Sequence, residues 1–186
     1  HKGWGTGKLE ADIVTVSHGH SGHNNPGDVE GAPLVLSGPG EYECKDVLIQ
    51  GISTSHDGDR GEGRGRNIVF LLEVEGLFIC HLGDIGHVPT SEQVAALGNV
   101  DILMVPVGGG STIDAGKAVE TVRLLEPKLV LPMHFHDADQ RPDLEPVDRF
   151  LKESGVKEVV PQNRLTVTRS TLPQDTQVVL LERRRS

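Results

Sequence analysis

Ser17-His18-Gly19-His20-Ser21-Gly22-His23 follows directly on the apolar run Ile13-Val14-Thr15-Val16, and its reading decides the fold. Three of the chain's nine histidines fall within these seven residues. A loop at the end of a rigid strand can aim several side chains at one point. Imidazole is a common ligand for zinc and neighbouring transition metals. The stretch therefore reads as a metal-binding loop.

Outward from it, apolar strand-like runs recur at 34–36, 47–52, 68–74, 77–80, 102–105, 129–131 and 178–181. Glu75-Gly76 between two of them predicts a hairpin turn. Thr90-Ser91-Glu92-Gln93 is a capping-box pattern that opens a short helix ending at Gly98. Asp114 caps a second helix, with Ala115, Ala118, Val119, Val122 and Leu125 at helical spacing and Pro127 closing it. A third runs from Pro146 in its first turn through Val147, Phe150 and Leu151 to Gly155. Strands dominate early and helix alternates with strand later, which predicts one α/β domain over residues 1–186. Segment 58–65 is Gly-rich and reads as a loop, with Arg64 on it and Arg66 just beyond.

Further metal-binding or catalytic side chains stand where runs end. His56 follows Ser55, Asp84 closes Cys80-His81-Leu82-Gly83-Asp84, and His134 follows Met133, with His136, Asp137 and Asp139 beyond it. A carboxylate arriving among imidazoles can bridge two cations and offset their repulsion. His81 reads as a core or supporting residue, His87 as loop surface or pocket rim, and His136 as exposed. Gly108-Gly109-Gly110 lacks the Gly-Lys-Ser/Thr that a phosphate loop needs.

The ordered set His-x-His-x-x-His, strand-end His, Leu-Gly-Asp and Pro-Met-His resembles the metallo-β-lactamase superfamily. Within it the chain is similar to the small bacterial Zn-dependent hydrolase-like group, relatives of the ascorbate-phosphate lactonases. The likeness runs through 11–23, 38–43, 66–67, 81–87, 105–114, 131–134, 144–151 and 168–181. It implies an αββα sandwich with metals at one edge of its two sheets. His18, His20 and His56 would hold the first metal, and His23 and His134 the second, with Asp84 bridging. A metal-bound water would be the nucleophile and the second metal would polarise the scissile group, so Asp84 and His134 carry the catalytic roles. Zinc is the expected ion, one or two per chain, with manganese, iron or nickel also suited to such a donor set.

Two departures stand out. The family loop reads His-x-His-x-Asp-His, and this chain has Gly22 at the Asp position; Asp57, Asp137 and Asp139 are the nearby acidic alternatives. The family's opening β-hairpin, with its Gly-His-Ser-type turn and Asp-Pro, has no counterpart before Lys8-Leu9-Glu10-Ala11. The expected sandwich therefore lacks its N-terminal hairpin and leaves a sheet edge that invites a second copy of the chain.

Composition narrows the partners. The formal charge is −9, from 27 acidic and 18 basic side chains, which argues against nucleic acid. That balance also disfavours an RNA-processing nuclease of the same superfamily. Trp4 and Tyr42 are the only residues of their kinds. No apolar run is long enough to span a membrane and no signal peptide is visible. Cys44 and Cys80 sit in or beside apolar runs and read as free thiols, which fits the cytoplasm. The expected activity is hydrolysis of a small ester, lactone or phosphate-bearing compound. The alternative is a degenerate, non-catalytic metal binder.

Overall fold

The computed structural model describes residues 9–20, 23–31, 33–55, 65–138 and 141–182. Four early strands are short: β1 (Leu9–Glu10), β2 (Ile13–Thr15), β3 (Val29–Glu30) and β4 (Leu34–Leu36). They pair in parallel as β1 with β3 and β2 with β4. A seven-stranded sheet follows, built from β5 (Gly40–Cys44), β6 (Val47–Ser55), β7 (Arg66–Val74), β8 (Leu77–His81), β9 (Ile102–Pro106), β10 (Leu129–Met133) and β11 (Gln177–Val178). Three helices intervene: α1 (Ser91–Leu97), α2 (Ala115–Leu125) and α3 (Val147–Glu153).

The sheet has two halves. β5 to β8 form an antiparallel meander, and β8, β9, β10 and β11 run parallel, each joined to the next through one of α1, α2 and α3. The meander turns at Lys45-Asp46 and Glu75-Gly76, both with two positive φ values, as two-residue hairpins in a right-twisted sheet require.

Alternation along β7 shows how two cores are served by one strand. Ile68, Phe70 and Leu72 pack with Ile13, Leu36 and Ile49, so β2 and β4 cover one face. Val69 and Leu71 face the larger cluster with Cys80, Leu103, Val105 and Val130. Leu97, Ala118 and Phe150 bring α1, α2 and α3 onto that same face. The result is an α/β sandwich, with helices on one side of the large sheet and strands on the other.

Local signals set the helix ends. Thr90 and Gln93 form the reciprocal capping box, and the Asp114 side chain accepts from Lys117 N at 2.9 Å. Pro146 stands before the first turn of α3 rather than within it, at ψ 151°. The pyrrolidine ring fixes only φ, so this extended ψ is open to it. Segments 9–10, 29–30 and 40–44 are strands that the sequence did not reveal. At the other end, the 178–181 run forms strand only at Gln177–Val178, with one further bridge from Leu181 to Gln162.

The sheet's end away from the site is pinned by buried Asp101, which accepts from Phe78 N at 2.9 Å and Arg169 Nη1 at 3.0 Å. Its carbonyl accepts from Lys128 N and Leu129 N. At the other end, the carboxyl ends of β8, β9 and β10 open onto one edge, where open α/β sheets gather their ligands.

Candidate metal centre

Strand β8 leaves the sheet through Leu82 and turns at Gly83, whose φ of +59° is in the left-handed region. A Cβ there would overlap Asn67 Oδ1 and come within 2.7 Å of Ser17 Cβ. Only glycine fits so close an approach at that φ. The turn delivers Asp84, which is 6% exposed. Asn67 holds it in place: Oδ1 accepts from Asp84 N at 2.9 Å, and Nδ2 donates to Leu82 O and Thr54 Oγ1, each at 2.8 Å. One fully buried amide therefore ties β6, β7 and the Asp84 loop together.

Two groups of histidines reach this carboxylate. His18 Nε2 lies 3.4 Å and His134 Nε2 3.5 Å from Asp84 Oδ2. His18, His20 and Asp84 form one set of potential ligand atoms, all within 4.8 Å of one another. His23, Asp84 and His134 form a second on the same criterion. The ring centroids of His18 are 4.9 Å from those of both His20 and His23, and His23 is 6.0 Å from His134. Asp84 alone is common to both sets.

Each ring is aimed by its backbone or neighbours. Ser17 Oγ is 2.9 Å from His18 Nδ1; in the Nδ1-protonated tautomer it accepts that proton and leaves Nε2 toward Asp84. His134 has φ +51°, which swings its side chain out of line with β10. Gly108 makes room for this bend: a Cβ there would overlap His134 O and lie 2.9 Å from Phe135 Cα. Gly108 N donates to that carbonyl at 3.0 Å. The Gly-rich segment thus supports His134 through backbone contact.

His81 accepts from Gly83 N at 3.1 Å through Nδ1, as a supporting residue should. His87 Nε2 accepts from Ser55 N at 3.4 Å, and Gly86 N donates to Ser55 O at 3.1 Å. These bonds fasten the end of β6 to the Asp84 loop. His56, Asp57, Gly22, Arg64, Trp4 and Asp139 lie outside the described residues. His136 is exposed, and Asp137 belongs to neither ligand set. Cys44 and Cys80 are free thiols, and burial pushes Cys80 up to about 12, so it is inert. Two residues of the centre, Asn67 and Arg141, were not singled out by the sequence. Arg141 Nη1 lies 2.9 Å from His134 Nε2.

Electrostatics favour neutral rings. Burial pushes His23, His81 and His134 below the ordinary imidazole value of 6.5, against an opposing pull from the Asp84 charge. Arg141 adds to the lowering at His23 and His134. Neutral imidazole is the ligand form. Because these folded values lie below 6.5, the unfolded chain binds more protons just beneath that pH. The resulting stability is present above 6.5 and is lost as pH falls through the window below it. Thermal unfolding in excess chelator should therefore show Tm falling from pH 7.5 to pH 5. A Tm that holds or rises over that interval would contradict this assignment.

An N/O donor set around one shared, buried carboxylate suits transition-metal ions. A model of the Beta-lactamase superfamily domain matches residues 1–134. A metal-dependent hydrolase of Thermoplasma acidophilum is 28% identical over 180 residues, covering 83% of this chain and 80% of that protein. One from Carboxydothermus hydrogenoformans is 29% identical over 157 residues, covering 69% of each. A Thermotoga maritima structure, described as a candidate Zn-dependent hydrolase of the metallo-beta-lactamase superfamily, has 39% identity and a TM-score of 0.80. That alignment covers 94% of this chain and 84% of the other. Igni18, a metallo hydrolase of Ignicoccus hospitalis, shares the fold at 18% identity and a TM-score of 0.64, over 92% and 76% of the two chains. Motif order, sheet topology and these matches agree: the chain belongs to the metallo-β-lactamase superfamily.

Proposed function

We propose that the chain is a metal-dependent hydrolase of a small ester, lactone or phosphate-bearing compound, with zinc as its ion and manganese, iron or nickel as substitutes. The observation that carries this reading is the single Asp84 carboxylate reached by two histidine sets, with His18, His20 and His23 from one loop and His134 from the end of β10. His18 and His20, joined by His56, would hold an ion on one side of Asp84, and His23 with His134 serve the other. A divalent cation held there supplies Lewis acidity and an acidified water. The protein's own part is positional. Ser17 orients His18, Asn67 fixes the Asp84 backbone, and Gly108 holds the bent His134. Burial favours the unprotonated form of His23 and His134, the form in which an imidazole can accept. The names of the relatives support metal-dependent hydrolysis.

A small molecule is the proposed partner, with neither nucleic acid nor membrane. The net charge of −9 repels phosphate backbones, and among the described residues no helix is long and apolar enough to cross a membrane. Two free cysteines are in keeping with the cytoplasm. A second reading, a metal binder without turnover, draws on Gly22, which contributes no donor where the family loop carries Asp.

The test is hydrolysis of an ester, lactone and phosphodiester panel by chelator-stripped protein reloaded with zinc, manganese, iron or nickel. Turnover that vanishes with chelator and returns with metal is expected. Metal that raises Tm but restores turnover on no panel member would favour the second reading. Hydrolysis indifferent to chelator would sink both.

A further inference from the structure

Arg141 stands inside the half of the centre formed by His23, Asp84 and His134. Its guanidinium only donates, so His134 Nε2, 2.9 Å from Nη1, is the acceptor. That nitrogen is also the His134 atom that faces Asp84 Oδ2 at 3.5 Å. A single imidazole lone pair serves one partner at a time, a donated N–H or a metal ion.

The arginine is held there by more than this contact. Nε and Nη2 grip Asp143 Oδ1 and Oδ2 at 3.1 and 3.0 Å, a bidentate pair that fixes the plane of the guanidinium. Its backbone is anchored as well: Arg141 N donates to Asp137 O at 2.8 Å, and Leu144 N donates to Arg141 O at 3.3 Å. Gly22, next to His23 in sequence, brings no donor that would favour a doubly charged ion over this cation. The His23–Asp84–His134 set therefore already carries a cation on one of its donor atoms.

The geometry points to the Arg141 guanidinium, rather than a second metal ion, as the resident cation of the His23–Asp84–His134 half. The His18–His20–Asp84 half is then the one that loads metal. This inference rests on the metal-centre reading above and specifies its stoichiometry: one tightly held ion, with a fixed positive charge beside it. An organic cation so placed engages His134 and keeps N–H groups for an anionic group of a substrate.

The test is zinc titration of the full chain against a chromophoric chelator, comparing the natural protein with Arg141→Gln. One tight equivalent is expected in the natural protein, followed by a much weaker second. Arg141→Gln should tighten the second by about 10–100-fold, the range typical of residues that act on a metal ligand. Two equivalents of equal affinity in the natural protein would overturn the inference while leaving the hydrolase reading intact. So would a second site unchanged in Arg141→Gln. Binding of no zinc by either protein would remove the metal-centre reading and this inference with it. A second measurement needs no variant: an imidazole ¹⁵N spectrum of the natural protein at one zinc equivalent. His134 Nε2 should keep the shift of an unmetallated acceptor; metallation of His134 by the first equivalent would overturn the inference.

Discussion

Asp84→Asn should abolish metal-dependent turnover, by at least about a thousand-fold, while leaving a folded protein. The magnitude follows from the several kcal/mol that a catalytic metal contributes to transition-state stabilisation, at 1.36 kcal/mol per tenfold. Asparagine keeps the shape of the side chain, and the bond from the residue's backbone N–H to Asn67 Oδ1 does not depend on the carboxylate. The substitution removes the one group common to both histidine sets. Metal-free Tm should change little, whereas the Tm gain produced by added zinc should disappear, since that gain is binding energy to the folded state. His18→Ala should also weaken metal sharply, but it spares the second ligand set. Undiminished zinc binding by Asp84→Asn would refute the shared-carboxylate assignment.

Gly83→Ala should be strongly destabilising for a change of one methyl group. The backbone there has φ +59°, and the new Cβ would overlap the buried amide of Asn67 and press on Ser17. The left-handed strain and the overpacking together cost about 3 kcal/mol. For a domain of this size, that lowers Tm by about 6–12 °C. The same displacement disturbs the Asn67 bonds to Asp84 and Leu82 and shifts Ser17, which holds His18. Zinc affinity should fall with stability. Gly76→Ala is the control: it also has a positive φ, 75°, but nothing stands near its Cβ. A Gly83→Ala protein with the Tm of that control would show that the close approach of Gly83 to Asn67 and Ser17 is not required.

Chemistry was easier to read along the chain than its scaffolding. The 17–23 loop, Asp84 and His134 were legible as candidate ligands because imidazole and carboxylate are common metal donors and because each stands where an apolar run stops. Asp114, Thr90 and Gln93 were equally legible, since caps act over three residues. Asn67 was not, because its partners Thr54, Leu82 and Asp84 lie 13, 15 and 17 positions away and meet it only once β6, β7 and β8 are paired. Arg141 was hidden for a related reason: its contact with His134 depends on the backbone pairing of Asp137 with Arg141. Strand β5 escaped notice because Gly-Glu-Tyr-Glu-Cys carries only two apolar side chains, Tyr42 and Cys44, and the following turn uses Lys45-Asp46 rather than a glycine. Pairing with β6 determines that segment's conformation.

The most direct measurement is anomalous diffraction at the zinc edge from crystals of the full chain grown with zinc. The expected result is a peak within about 2.0–2.2 Å of Asp84 Oδ and ring nitrogens of His18 and His20. A zinc peak elsewhere on the molecule, with none at Asp84, would contradict the metal centre and the hydrolase built on it.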